Sequence, residues 1–162
     1  MSKEIELKFL VEPGWEKHFT TAQLLDAECL HFRQGYLARD EASTVRIRLS
    51  NNKTAYLTIK GARIGLTCDE YEYEIPYQDG LELFEMCGTV TVIKTRYAIK
   101  DDNDQKWEID IFEGINEGLI MAELEIPSEN HLVTIPDWIG RDVSADYQYT
   151  NAYMATHKVL AQ

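Results

Sequence analysis

Charged side chains recur in this chain at every second residue, and their signs are sorted. Glu4, Glu6 and Lys8 alternate with Ile5, Leu7 and Phe9. Arg46 and Arg48 alternate with Val45, Ile47 and Leu49, and Thr58 and Lys60 with Leu57 and Ile59. Glu70, Glu72 and Glu74 interleave Tyr71, Tyr73 and Ile75. Lys94 and Arg96 interleave Ile93, Thr95 and Tyr97, Glu108 and Asp110 interleave Trp107, Ile109 and Ile111, and Glu123 and Glu125 interleave Ala122, Leu124 and Ile126. Residues at i and i+2 share one face of a strand. One solvated sheet face explains any single pair. It does not explain charge at paired spacing on seven strands, most of them carrying a single sign, because a surface built for solubility mixes charges. Six cations (Lys8, Arg46, Arg48, Lys60, Lys94, Arg96) and nine acids thus share a face. Carboxylate groups bind hard divalent cations through oxygen. Arg and Lys bind phosphate oxygens, Arg often bidentately. An acidic wall for metal and a basic wall for phosphate describe a polyphosphate site. Phosphoryl transfer there needs positioning, charge neutralisation and an oriented water.

The elements that must position these groups are strands. Period-two alternation predicts them over residues 3–11, 35–39, 44–49, 55–60, 69–76, 90–100, 106–112 and 120–127. Polar stretches at 50–53 and 101–104 read as turns. Eight antiparallel strands suffice to close a barrel. Closed with the charged face inward, the sheet would enclose a wet, charged tunnel, since so many charges cannot be buried dry. Its outer face would then be apolar and need cover from helices or a second subunit. Helices are expected over 15–27, over 81–87, with Asp79 as cap, Glu82 reaching back and Gly88 as terminator, and over 151–160. The expected fold class is therefore α+β and mainly β: an eight-stranded antiparallel closed barrel with a charged interior and a few flanking helices, as one domain over 1–162.

Composition narrows the function. The chain has 162 residues, 44% hydrophobic and 27% charged, which is ordinary globular composition. Its formal net charge of −12 disfavours nucleic acid and anionic membrane as partners. Cys29, Cys68 and Cys87 form no CxxC pair, and His18, His31, His131 and His157 show no ligand spacing. Three reduced thiols and a charged, alternating N-terminus point to a cytoplasmic protein without a signal peptide. No apolar run approaches the roughly 18 residues that span a bilayer. GxSxG, P-loop and GxGxxG signatures are absent.

The charged strands also resemble a known family. Glu4-Ile5-Glu6-Leu7-Lys8 is similar to the ExExK signature of the CYTH superfamily, the triphosphate tunnel metalloenzymes. In family order, Arg33-Gln34-Gly35-Tyr36-Leu37 resembles RQGYL, Val45-Arg46-Ile47-Arg48 resembles VRIR, and Leu57-Thr58-Ile59-Lys60-Gly61 resembles LTIKG. The run from Glu70 to Pro76 resembles EFEYEIP, Lys94-Thr95-Arg96-Tyr97 resembles KTRY, and the run from Trp107 to Phe112 resembles WEIDVF. Ala122-Glu123-Leu124-Glu125 resembles AEIE, and the residues from Asp146 to Asn151 resemble DxRYxN. ExExK alone is unspecific; the ordered set covers nearly the whole chain and is specific.

The resemblance implies a tunnel acting on triphosphates with Mg²⁺ or Mn²⁺. Glu4, Glu6, Glu123 and Glu125 would be the main metal ligands, with Glu72 and Asp110 as secondary ones. Lys8, Arg46, Arg48, Lys60, Lys94 and Arg96 would hold the phosphates. Glu4, Glu6, Lys8, Arg48, Lys60 and Arg96 would carry catalysis. Two positions depart from the family, which often has Arg at Cys68 and usually at Gln148. Cys68 is expected to be a packed or solvent-facing thiol rather than a nucleophile.

The leading expectation is a hydrolase of inorganic tripolyphosphate. The runner-up is a class IV-type adenylate cyclase, whose HFxxxxExExK start does not fit ahead of Glu4. A third reading is a catalytically silent polyphosphate- or nucleotide-binding module. A homodimer is expected if part of the apolar outer face lies uncovered.

Overall fold

The computed structural model describes residues 2–161; Met1 and Gln162, the ends of the expected domain, lie outside the described residues. Nine strands form one antiparallel sheet: β1 (Ser2–Val11), β2 (Glu28–Arg39), β3 (Ser43–Ser50), β4 (Thr54–Gly61), β5 (Thr67–Ile75), β6 (Thr91–Lys100), β7 (Lys106–Phe112), β8 (Ile120–Glu125) and β9 (Ile139–Asp142). Their order is β5-β4-β3-β2-β6-β7-β8-β1-β9, and β1 also pairs with β5. That pairing closes eight strands into a barrel, with β9 added beside the end of β1. The expected closed barrel is present. Because closure removes the sheet edges, every strand of the barrel has two hydrogen-bonded neighbours.

Register fixes which side chains face the lumen. Glu4 pairs with Cys68, Glu6 with Glu125 and Lys8 with Glu123. Arg46 pairs with Thr58 and Tyr36, Arg48 with Tyr56 and Gln34, and Thr58 with Glu72. Arg96 pairs with Asp110 and Lys94 with Phe112. Directly opposed residues project to the same side, so the charged positions of the sequence share the lumen side of the strands, with Glu74 and Glu125 exposed to solvent. The β3–β4 connection turns on Asn51 and Asn52 at φ 49° and 54°, a conformation Asn tolerates better than most residues.

The outside is apolar and mostly covered. Phe9, Ile99, Trp107, Ile109, Ala122 and Leu124 pack under Trp15, Phe19 and Trp138. Trp107 is fully buried, meets Phe9 and Trp138 edge-on and donates its indole N–H to Asp101. On the other side, α2 (Tyr77–Met86) covers Ile47, Leu49 and Ala55. Ile59, Tyr71 and Tyr73 on β4 and β5 stay partly exposed. The C-terminal segment packs Tyr149, Met154, Ala155 and Val159 onto Leu10, Tyr36, Val92, Phe112 and Met121, filling part of one end of the barrel.

Several expectations need correction. The helix over 15–27 is two pieces, a 3-10 turn (Trp15–His18) and α1 (Thr21–Asp26). Thr20 restarts the chain as an N-cap: its hydroxyl accepts from Gln23 N–H while Gln23 reaches back to the Thr20 N–H. Helix α2 starts four residues earlier than expected, behind Pro76, with no side-chain cap; Asp79 lies in its first turn. Gly88 ends that region at φ 61° as expected. The C-terminal helix is only α3 (Asn151–Met154). Beyond it the Asn116 amide donates to Met154 and His157 carbonyls and accepts from Val159 N–H, so the backbone bonds to a side chain in place of helical partners. Among the described residues no helix is long and apolar enough to cross a membrane.

Candidate active site in the barrel lumen

Polar side chains line the lumen in two layers. The deeper layer is buried: Lys8, Gln34, Arg46, Thr58, Lys94, Asp110 and Glu123. Around it lie Glu4, Glu6, Arg48, Lys60, Glu70, Glu72, Arg96 and Glu108, each partly reached by solvent. A cavity of about 510 Å³ gives access, lined among others by Glu4, Glu6, Lys8, Arg46, Lys60 and Arg63 and walled by Thr150, Asn151 and Ala152.

Three ion-pair groups organise these side chains. In the first, Lys8 Nζ lies 3.1 Å from Glu6 and 3.3 Å from Glu123. Lys60 pairs with Glu4 and lies 2.8 Å from Glu70. In the second, Arg48 donates to Glu72 at 2.9 Å, and Arg46 lies 3.6 Å from the same carboxylate. Thr58 links them, its hydroxyl accepting from Arg46 and donating to Glu72. In the third, Asp110 accepts from Lys94 at 2.6 Å and from Arg96 Nε and an Arg96 terminal nitrogen at 2.7 Å each. Arg96 reaches on to Glu123 at 2.6 Å and to Glu108. The Phe32 ring lies under both Arg48 and Arg96, 4.8 and 5.6 Å from the guanidinium carbons.

Burial and charge set the protonation states. Burial works to raise Glu123 and Glu4. Lys8 and Arg96 overcome it at Glu123, holding that carboxyl well below its ordinary value, and Lys60 overcomes it at Glu4. Glu6 is the exception. Burial and the neighbouring Glu123 push its carboxyl up to about 7, which Lys8 only partly offsets. Burial lowers Lys94 against the pull of Asp110, and burial together with Arg46 lowers Arg48. Burial thus makes the charged form of both cations costly despite their carboxylate partners, and an added anion would favour it.

The sequence-derived site residues thus share the lumen side of the strands but do not form one cluster. Glu4, Glu6 and Glu123 gather around Lys8 and Lys60, and Glu125, at the exposed end of β8, opposes Glu6 in register. Glu72 lies with Arg46 and Arg48, and Asp110 with Lys94 and Arg96. Cys68 faces Glu4; its thiol donates to the Gly61 carbonyl, and burial raises its pKa, so it stays protonated. Gln148 is exposed, away from the cavity lining. Sequence reasoning missed Phe32, Gln34 and Tyr36 as lumen residues. Strand parity finds them once β2 is extended back to Glu28.

The donor set suits a hard divalent cation, because Glu4, Glu6, Glu123 and Glu125 offer only carboxylate oxygen. Among the described residues no three such groups already converge on one point. Ammonium groups lie between them instead, and Glu6 is raised first by burial and then by the neighbouring Glu123 carboxylate. A divalent cation among these oxygens would favour the ionised form of both carboxyls, so the donor chemistry fits one.

A closed antiparallel tunnel with an acidic cluster facing a wall of Arg and Lys defines a site for a metal-neutralised polyanion. Comparison with known proteins gives that class its family. The CYTH domain family model matches residues 2–157, and the chain belongs to that family. It is 42% identical over 153 residues to an inorganic triphosphatase of Acetivibrio thermocellus, covering 94% of this chain and 92% of the relative. It is 34% identical over 160 residues to an inorganic triphosphatase of Nitrosomonas europaea, with 94% and 96% covered. The crystal structure of the inorganic triphosphatase NE1496 superposes with a TM-score of 0.68 at 30% identity over 97% of each chain.

Proposed function

We propose that this protein is a metal-dependent triphosphatase that hydrolyses inorganic tripolyphosphate and releases orthophosphate. One observation carries the reading: a carboxylate cluster (Glu4, Glu6, Glu123) and a cation wall (Arg46, Arg48, Lys94, Arg96) face one another inside a single closed barrel. Kinship with two triphosphatases over most of the chain agrees with it.

Lys8, Arg46, Arg48, Lys60, Lys94 and Arg96 bind the phosphate oxygens, Arg through its fork and Lys as a point charge. Glu72 and Asp110 act here as counter-ions that hold these cations in place, as their hydrogen bonds indicate. Glu4, Glu6, Glu123 and Glu125 would hold Mg²⁺ or Mn²⁺, which would supply charge neutralisation for the substrate and activation of water. As the anion enters, Lys8 and Lys60 exchange carboxylate partners for phosphate. The deeper lumen residues Lys8, Arg46, Lys94, Asp110 and Glu123 are buried, so interactions made there act in a lower dielectric than at the surface.

The test is one assay with two readouts. Purified protein is incubated with tripolyphosphate, ATP or thiamine triphosphate in Mg²⁺, Mn²⁺ or EDTA. Metal-dependent orthophosphate release, fastest with tripolyphosphate and lost in Glu4→Ala/Glu6→Ala, is expected. Cyclic AMP from ATP would mean a cyclase, and binding without turnover a silent module. The homodimer would use the uncovered Ile59, Tyr71 and Tyr73, and light scattering on the purified chain decides it.

A further inference from the structure

Buried polar groups in folded proteins are almost always hydrogen-bonded, and each exception calls for a cause. Among the buried lumen residues, Lys8, Arg46, Thr58, Lys94, Asp110 and Glu123 each have at least one side-chain partner, although Arg46 Nε, like Arg48 Nε and Glu70 Oε2 nearby, is left without a hydrogen bond. Gln34 is the uncharged member of this set of bare lumen groups. It is 1% exposed, and its Oε1 has no hydrogen-bond partner among the described residues. Register places it inside the barrel between Arg48 on β3 and Val92 on β6, one lumen position from Phe32 and from Tyr36. It therefore stands in the cation wall, flanked by groups that bind phosphate, and it carries no charge itself.

A satisfied core glutamine would bond to backbone or to the neighbouring ionic groups. Arg48 instead turns to Glu72, and Lys94 to Asp110. Fold stability gains nothing from a buried acceptor left bare; an apolar side chain of the same size would be tolerated there or better. The bare carbonyl needs a donor, which a phosphate oxygen cannot be, so its partner is a water in the lumen, and that orientation leaves the amide N–H to serve an anion there. We infer that Gln34 is a substrate-contacting residue: its amide N–H donates to a non-bridging phosphate oxygen of the bound polyphosphate, and its carbonyl accepts from a water held beside it. This rests on the triphosphate reading of the same lumen. A neutral donor adds directional recognition to the wall without further positive charge, and its contribution resists salt in a way that the surrounding ion pairs do not.

The test compares Gln34→Met and Gln34→Glu with the wild-type chain. Three quantities are read: kcat/KM for tripolyphosphate, calorimetric affinity for tripolyphosphate, and Tm in EDTA without substrate. Gln34→Met should lose roughly ten- to a hundredfold in kcat/KM, the worth of one hydrogen bond to a charged group, with Tm unchanged or raised. The loss should be the same at low and high salt. Gln34→Glu should lose at least as much, because a carboxylate repels the anion. Wild-type turnover and affinity in Gln34→Met would overturn the inference. So would a Tm lowered by several degrees, since the amide would then have partners within the fold. Failure of the triphosphate reading itself appears elsewhere, as a wild-type chain that neither hydrolyses nor binds tripolyphosphate.

Discussion

Glu6 shows how one side chain records the task of the site. Its neighbours on alternate lumen positions, Glu4 and Lys8, are both held in their charged forms, yet its own carboxyl is pushed up to about 7 by burial and by Glu123. The linkage follows from that direction. A carboxyl whose folded pKa lies above its ordinary 4.5 binds its proton more tightly in the folded state. Its favourable contribution is full below pH 4.5 and is lost as pH rises toward 7. In EDTA, Glu6→Gln removes that loss. The variant should therefore gain on the wild-type chain as pH goes from 5 to 8, by at most about 3 kcal/mol. For a chain of this size that is an advantage of roughly 5–10 °C in Tm. Thermal melts across that range check it, and a constant difference would refute it. On the proposed role of Glu6 in holding the metal, the same variant should also lose metal-dependent turnover.

At the scale of elements, the cation wall depends on what lies behind it. Strands β3 and β4 carry Arg46, Arg48, Thr58 and Lys60 inward, while their outward Ile47, Leu49 and Ala55 seat helix α2. Gly80 permits that close approach: a Cβ there would lie 2.3 Å from the Ala55 methyl and 3.1 Å from Leu49. Gly80→Ala gains about 1 kcal/mol in helix propensity but forces the packed layer apart, which costs roughly 1–3 kcal/mol. The clash wins because Ala55 is itself wholly buried. The variant should melt lower than wild type, whereas Glu85→Ala, exposed on the same helix, should not. Closeness of this kind leaves no mark in the sequence beyond the glycine. What was legible was the parity of charge: β1, β3 to β5 and β6 to β8 announce their lumen faces because charged residues alternate with apolar ones. The first half of β2 escaped because its lumen residues, Leu30, Phe32 and Gln34, are neutral, so the parity is there without the charge that exposes it. Helix ends were misplaced where a side chain took over from the backbone, Thr20 at α1 and Asn116 beyond α3.

For the whole molecule, the difficulty is that a barrel lined with charge has no core of its own in the middle. Its apolar core is divided, part outside the sheet and part at one end. The chain termini join these regions. Strand β1 gives Glu4, Glu6 and Lys8 to the lumen, Phe9 to the outside and Leu10 to the C-terminal cluster. The last residues return to that cluster and also wall the cavity with Thr150, Asn151 and Ala152, and Asn151 reaches to 3.4 Å from Lys94 Nζ. Stability and access are thus set by one segment. Met154 is nearly inaccessible at its centre. Met154→Ala should cost about 2–5 kcal/mol, through lost burial and the cavity left behind. That corresponds to a fall of roughly 4–20 °C in Tm, while Leu160→Ala, a largely exposed neighbour in sequence, should change it little. Tripolyphosphate with metal binds only the closed barrel, so adding it should restore part of the loss in Met154→Ala by mass action. A variant that loses stability but recovers none of it with ligand would show that this end of the barrel, and not the polar lumen alone, is needed to hold the substrate.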